Sequence, residues 1–112
     1  MRRVRVADKY TYRVIWSDED GEFVGLCAEF PSLSWLHRSR EAALHGIVKL
    51  IRQTVGDMEE NRERPPAPLA DRKYSGVFKV RVPPVVHRNL AIEAAESGVS
   101  LNRLVSAKLA HG

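Results

Sequence analysis

The stretch GVFKVRVPPVVHRNL, Gly76 to Leu90, decides how this chain reads. Phe78, Val80 and Val82 fall on one face of an extended segment and Val77, Lys79 and Arg81 on the other, the period-two pattern of a half-buried strand. Pro83 and Pro84 end it and suit the first turn of a helix, whose N–H groups have no intrahelical partner to lose. That helix carries Val86, Leu90 and Ala94 at four-residue steps, with Ala91 and Ala95 beside them, and Gly98 supplies a left-handed terminator. Ser100 then caps a second helix whose apolar face runs through Leu101, Leu104, Val105 and Lys108 or Leu109. Arg103 stands where a glutamate would complete a capping box.

This unit has one strand and, at 37 residues, lies below the roughly 40 residues at which a chain holds a core without metal, disulfide or oligomerisation. Its strand has nothing within the unit to pair with, and unpaired backbone groups are costly. Pairing with the same strand of a second copy removes that cost. The expected product is an intertwined homodimer with a two-stranded antiparallel ribbon. Phe78, Val80 and Val82 then face a shared core with Leu90, Leu101, Leu104 and Val105, while Val77, Lys79 and Arg81 are displayed outward from both strands.

Working outward, RPPAPLADRKYS, Arg64 to Ser75, has no helical period and reads as a linker or as a short returning edge strand near Leu69. Before it, Leu44, Ile47, Val48, Ile51, Val55 and Met58 mark one face of a helix from Arg40 to about Asn61. Ser39 is its N-cap and Glu41 lies in its first turn. Upstream, YTYRVIWS (Tyr10 to Ser17) has Tyr10, Tyr12, Val14 and Trp16 at period two and reads as a strand. The acidic turn SDEDGE leads to a second strand in FVGLCAEF, and SLSWL adds a third. The helix should cover this β-meander. Three segments follow: an α/β domain over 1–64, a connection over 65–75 and a strand–helix–helix domain over 76–112. The fold class is α+β.

Composition bounds the function. The 112 residues are 44% hydrophobic and 29% charged, as in ordinary globular proteins. No apolar run approaches the ~20 residues of a membrane helix, and the basic start lacks the apolar region of a secretory signal, so the expected location is cytoplasmic. Arg2, Arg3 and Arg5 read as a loose tail. Cys27 is the only cysteine, which leaves no internal disulfide or cysteine-based zinc site, and its place in a strand pattern suits the core. His37, His45, His87 and His111 show no metal spacing. No metal or other cofactor is expected. Lysine plus arginine balance aspartate plus glutamate at eleven each through Arg64, but outnumber them seven to three from Pro65 onward. The whole excess of +4 therefore lies in the C-terminal part, which suggests an anionic partner such as nucleic acid.

GVFKVRVPPVVHRNLAIEAAESGVSLNRLVSAKL resembles a ribbon-helix-helix DNA-binding domain of the Arc and MetJ type, and the preceding DGEFVGLCAEFPSLSW with SREAALHGI resembles the N-terminal domain of HicB antitoxins. The run EFPSLSWL departs from the Pro-(acidic)-x-x-Gly-Cys form often found there. The resemblance implies a partial ribonuclease H fold for the meander and helix, and a ribbon that enters the major groove of a palindromic operator. The base readers it implies are Val77, Lys79 and Arg81: Arg81 for a bidentate contact to guanine, Lys79 for guanine or phosphate, Val77 for a thymine methyl. Backbone amides at Ser100, Leu101 and Asn102 are implied to dock on phosphate, with Arg103 beside them.

The resemblance further implies an antitoxin that neutralises a HicA-type ribonuclease and autorepresses its operon. Asp18, Glu19 and Asp20 would draw that basic partner, with Phe23 or Trp35 as anchors. The relation to ribonuclease H raises the enzyme hypothesis, but two-metal nucleases need converging carboxylates, whereas Asp18, Glu19, Asp20 and Glu22 crowd one turn and Glu29 stands alone, so no catalysis is expected. The alternative is an orphan ribbon-helix-helix regulator whose N-terminal domain binds a ligand or oligomerises. The operator sequence, and whether dimers pair into tetramers, stay open.

Overall fold

The computed structural model describes residues 5–112; the tail residues Arg2 and Arg3, and the start of the expected 1–64 domain, lie outside them. The chain divides into two compact units, with the boundary between Tyr74 and Ser75.

In the first unit, the alternating segments form a three-stranded antiparallel meander: β1 (Tyr12–Ser17), β2 (Glu22–Cys27) and β3 (Ser34–His37), in the order β1-β2-β3. Val14 pairs with Gly25 and Gly25 with Trp35, and cross-strand partners share a face. Helix α1 (Arg40–Glu60) lies on that face. Ser39 caps it, its hydroxyl accepting from the Ala42 amide at 3.2 Å. The helix approaches the sheet closely at two glycines. A Cβ on Gly25 would lie 2.8 Å from the Ile47 side chain, and one on Gly46 would run into the Trp35 indole. Ile47, Ile51 and Val55 are buried with Ala7, Tyr10 and Cys27 to form the core.

Leu44, expected on the buried stripe, is 43% exposed. The covered face of α1 runs instead through Ala43, Gly46, Ile47, Ile51 and Val55, because close contact at Gly25 and Trp35 needs small residues where the sheet meets the helix. The first strand begins at Tyr12 rather than Tyr10. Tyr10 is buried by edge contact with Phe30 at 5.5 Å between ring centroids and donates its hydroxyl to the Pro66 carbonyl at 2.8 Å.

The segment 65–75 is neither a free linker nor an edge strand. It carries one 3₁₀ turn at Leu69–Asp71 and is held to the sheet by side chains. The Glu29 carboxylate accepts from the Leu69 amide at 3.0 Å, from the Thr11 amide at 2.9 Å and from the Thr11 hydroxyl at 3.2 Å. Lys9 pairs with Asp71 at 3.4 Å.

In the second unit, α2 (Pro84–Ser97) and α3 (Leu101–His111) are joined at Gly98, whose φ of +66° gives the left-handed cap. Ser100 caps α3 by accepting from the Arg103 amide at 3.1 Å, and Lys108 on α3 pairs with Glu93 on α2 at 3.2 Å. The expected strand over Gly76–Val82 forms no ladder. A strand exists only with a neighbour to exchange hydrogen bonds, and the unit offers none among the described residues.

Candidate functional site

The extended segment leading into α2 is the most exposed apolar stretch of the chain. Val77, Phe78 and Val80 are 84%, 70% and 65% exposed, and Val82 is exposed too. The alternation with Lys79 and Arg81 survives as sequence, but neither set is covered. Within this unit only Ala94 is buried; Leu90, Leu101, Leu104 and Val105 are half-buried between the two helices. Every residue assigned to a shared core is therefore at least partly open in one copy. Such surface, next to unpaired backbone, is what a second copy can cover.

The polar candidates are open to solvent. Lys79, Arg81, Asn102 and Arg103 are exposed, and among the described residues Lys79, Arg81 and Arg103 make no ion pair. At the start of α3 the hydroxyl of Ser100 is engaged by the Arg103 amide. The Leu101 and Asn102 amides are first-turn N–H groups without intrahelical partners. One helix N-terminus and three free cations are compatible with a phosphate backbone.

In the first unit, Asp18, Glu19 and Asp20 occupy the exposed β1–β2 turn, where they are used locally. Asp18 accepts from the Trp16 indole N–H, and the Ser17 hydroxyl donates to Asp20 at 2.9 Å. Phe23 is half-buried between Trp16, ring centroids 5.0 Å apart, and the Arg40 guanidinium, 5.0 Å above its ring. Trp35 packs on Gly46 and is 42% exposed. Sequence reasoning passed over Trp16, the most exposed tryptophan at 51%. It sits at the end of the covered face, beyond the reach of α1, and the alternation that marked the strand carried no sign of that.

A groove lined by Trp35, His37, Glu41, His45, Lys49 and Leu50 runs between β3 and α1. Among the described residues no group of three or more His, Cys, Asp or Glu side chains is placed to hold a metal ion. The acidic turn and Glu29 are not brought together: Glu29 is spent on Thr11 and Leu69. Burial pushes its carboxyl up, but the amides of Leu69 and Thr11 outweigh that and hold it below the ordinary glutamate value. The Cys27 thiol is raised by burial, the condition of an unreactive core cysteine. No helix of the described residues is long and apolar enough to cross a membrane.

No curated protein and no solved structure matches this chain. The family model that matches is the HicB family, over residues 59–109. The matched stretch holds the end of α1, the proline-rich segment, the open extended segment and both helices of the second unit. The sequence resemblance had attached HicB to the sheet and the ribbon-helix-helix type to these residues. The match covers a little under half of the chain, so what it shows is a similarity to the HicB family over residues 59–109.

Proposed function

We propose that this chain is the antitoxin of a HicAB-type pair. Its second unit dimerises through residues 76–82 into a ribbon-helix-helix domain that represses its own operon, and its first unit, a partial ribonuclease H fold, covers a HicA-type ribonuclease. The observation that carries this reading is the open segment Val77–Val82. It alternates apolar and basic residues, has no backbone partner, and leads directly into two capped helices whose facing residues are half-buried. Pairing with a second copy supplies the missing ladder and the missing core together. It also presents Val77, Lys79 and Arg81 twice across a two-fold axis, the arrangement that reads a palindromic site in the major groove. The chain is not an enzyme in this reading, since the acidic turn stands apart from Glu29, which is spent on Thr11 and Leu69.

The decisive experiment is a titration of operator DNA at fixed salt. Replacing Arg81 with alanine removes up to one bidentate base contact per copy, each worth about 1–3 kcal/mol of discrimination. Specific binding should fall at least tenfold while rescue of growth from the co-expressed toxin persists. Unchanged affinity would overturn the assignment of Arg81 as a reader. The orphan-regulator reading gains from one observation: the family match lies on the second unit and leaves the sheet, with its partner, unmatched. A neighbouring gene for a small basic protein whose toxicity this chain relieves separates the two.

A further inference from the structure

Two features of the first unit meet along one line. β3 has β2 on one side and, among the described residues, no strand on the other, so alternate residues of Ser34–His37 turn an N–H and a C=O outward without a ladder partner. Beside that edge runs the groove between β3 and α1, walled by Trp35 and His37 on the strand and by Ala42, His45, Lys49 and Gln53 on the helix. Helix α1 follows β3 and runs back over it: the Ser39 cap lies beside His37, and Gly46 sits on the Trp35 indole. Lys49 and Gln53, one turn apart, therefore hold the end of the groove past Trp35. The two ends differ in charge. Toward His37 lies Glu41, which accepts from the Ser39 hydroxyl at 3.2 Å, and beyond the row Trp16, Phe23 and His37 comes the acidic turn. Toward Ser34, Lys49 and Gln53 are exposed donors, and Lys49 makes no ion pair among the described residues. Between the ends, Trp35 and half-buried Leu50 make the wall apolar.

We propose that the β3 edge and this groove together take an extended acidic segment of another protein chain, added as a fourth strand. In strand addition a bare edge supplies main-chain hydrogen bonds, and pockets beside it read alternate side chains. An antiparallel strand, the more stable pairing, enters at His37 and leaves at Ser34. Its groove-facing residues are two apart: one lies on Trp35 and the next points toward Lys49 and Gln53. Two strand residues advance about 6.8 Å and the helix advances about 4.5 Å from Gly46 to Lys49; the long lysine side chain spans the difference. The segment recognised is therefore an aliphatic residue, any residue, then aspartate or glutamate. A basic side chain in the last position meets Lys49 and is disfavoured. This occupant is opposite in charge to the basic ribonuclease drawn to the acidic turn, and the inference stands whether or not the chain is an antitoxin.

Proton–nitrogen correlation NMR of the labelled full chain tests it, with the capped peptide threonine-valine-threonine-glutamate-threonine as probe. The expected result is saturable shifts at the amides of Ser34–His37, Gly46 and Lys49. Glutamine in place of the peptide's glutamate should weaken binding at least about threefold, and Lys49→Glu about fivefold, the range of exposed ion pairs. Lysine in place of the glutamate should bind Lys49→Glu better than the wild type. Lys49 is exposed, and an unchanged circular dichroism spectrum checks that the variant keeps its fold. Two N-methylated peptides, one blocked at the threonines and one at the valine and glutamate, test the ladder: the one whose methyl groups meet β3 should not bind. Shifts that fail to saturate, or that are confined to residues 76–82, overturn the proposal. So do equal binding of the glutamate and glutamine peptides, an affinity untouched by Lys49→Glu, or two methylated peptides that both bind as the parent does.

Discussion

The two units of this chain use the same kinds of local signal and reach different ends. In the first, Ile47 and Ile51 are fully buried and Val55 nearly so, beneath a sheet whose strands all have neighbours. In the second, α3 has a serine N-cap as α1 does and α2 ends in a left-handed glycine, yet one alanine is the only buried residue and the extended segment pairs with nothing. Caps and periodicity make helices; they do not make a core. The first unit closes its core within one chain, whereas the second leaves its apolar residues exposed or half-buried.

Breaking this contrast takes a substitution in each unit. The largest effect is expected at Phe78. If the second unit is completed by a copy of itself, Phe78→Glu places a charge where the shared core closes, and α2–α3 should lose their cooperative thermal transition. The wild-type transition of that unit should also move upward with protein concentration, as folding coupled to association requires. A transition of the second unit that is independent of concentration and untouched by Phe78→Glu would erase the distinction between the units. Next in size, Ile51→Ala should cost the first unit about 2–5 kcal/mol through lost burial and a cavity, read as a lower denaturant midpoint at any concentration.

The smallest effect concerns the tether between sheet and 3₁₀ turn. Glu29 titrates below its ordinary value in the folded chain because the Leu69 and Thr11 amides outweigh the upward push of burial. Its folded pKa lies below the unfolded one, so its contribution is present above the ordinary glutamate range and is lost as the pH falls through the folded value. Glu29→Gln should cost about 1 kcal/mol at neutral pH, given its partial exposure. It should also flatten part of the acid limb of a stability profile, leaving the part due to Asp8, whose carboxyl the Arg52 side chain holds low. Faster hydrogen exchange at the Leu69 amide in that variant would locate the change at the tether.

How much of this was legible beforehand follows from the range of each interaction. The period-two runs placed all three strands, and the spacing of Ile47, Ile51 and Val55 placed α1. Ser39, Gly98 and Ser100 marked helix ends, since each acts on groups within four residues of itself. The exposure of Leu44 was not legible, because an apolar stripe can be wider than the surface that covers it. The docking of 66–71 through Tyr10 and Glu29 was hidden for a different reason: its partners lie 56 and 40 residues apart, and a proline-rich stretch looks the same free or bound. Among the candidate site residues, the basic alternation at Lys79 and Arg81 was plain, while the prominence of Trp16 over Phe23 depended on where α1 begins.

The sequence by itself determined the elements, their ends, and the placing of charge and apolar residues on opposite sides of one extended segment. These are consequences of backbone stereochemistry and periodicity, which act over a few residues. Only the tertiary structure decided which apolar faces are covered: that α1 meets the sheet at Gly25 and Gly46, that Glu29 secures the connection, and that the outer sheet face and the segment 77–82 stay bare. Burial depends on what arrives from far along the chain, and the surfaces left uncovered are where this protein has room for partners.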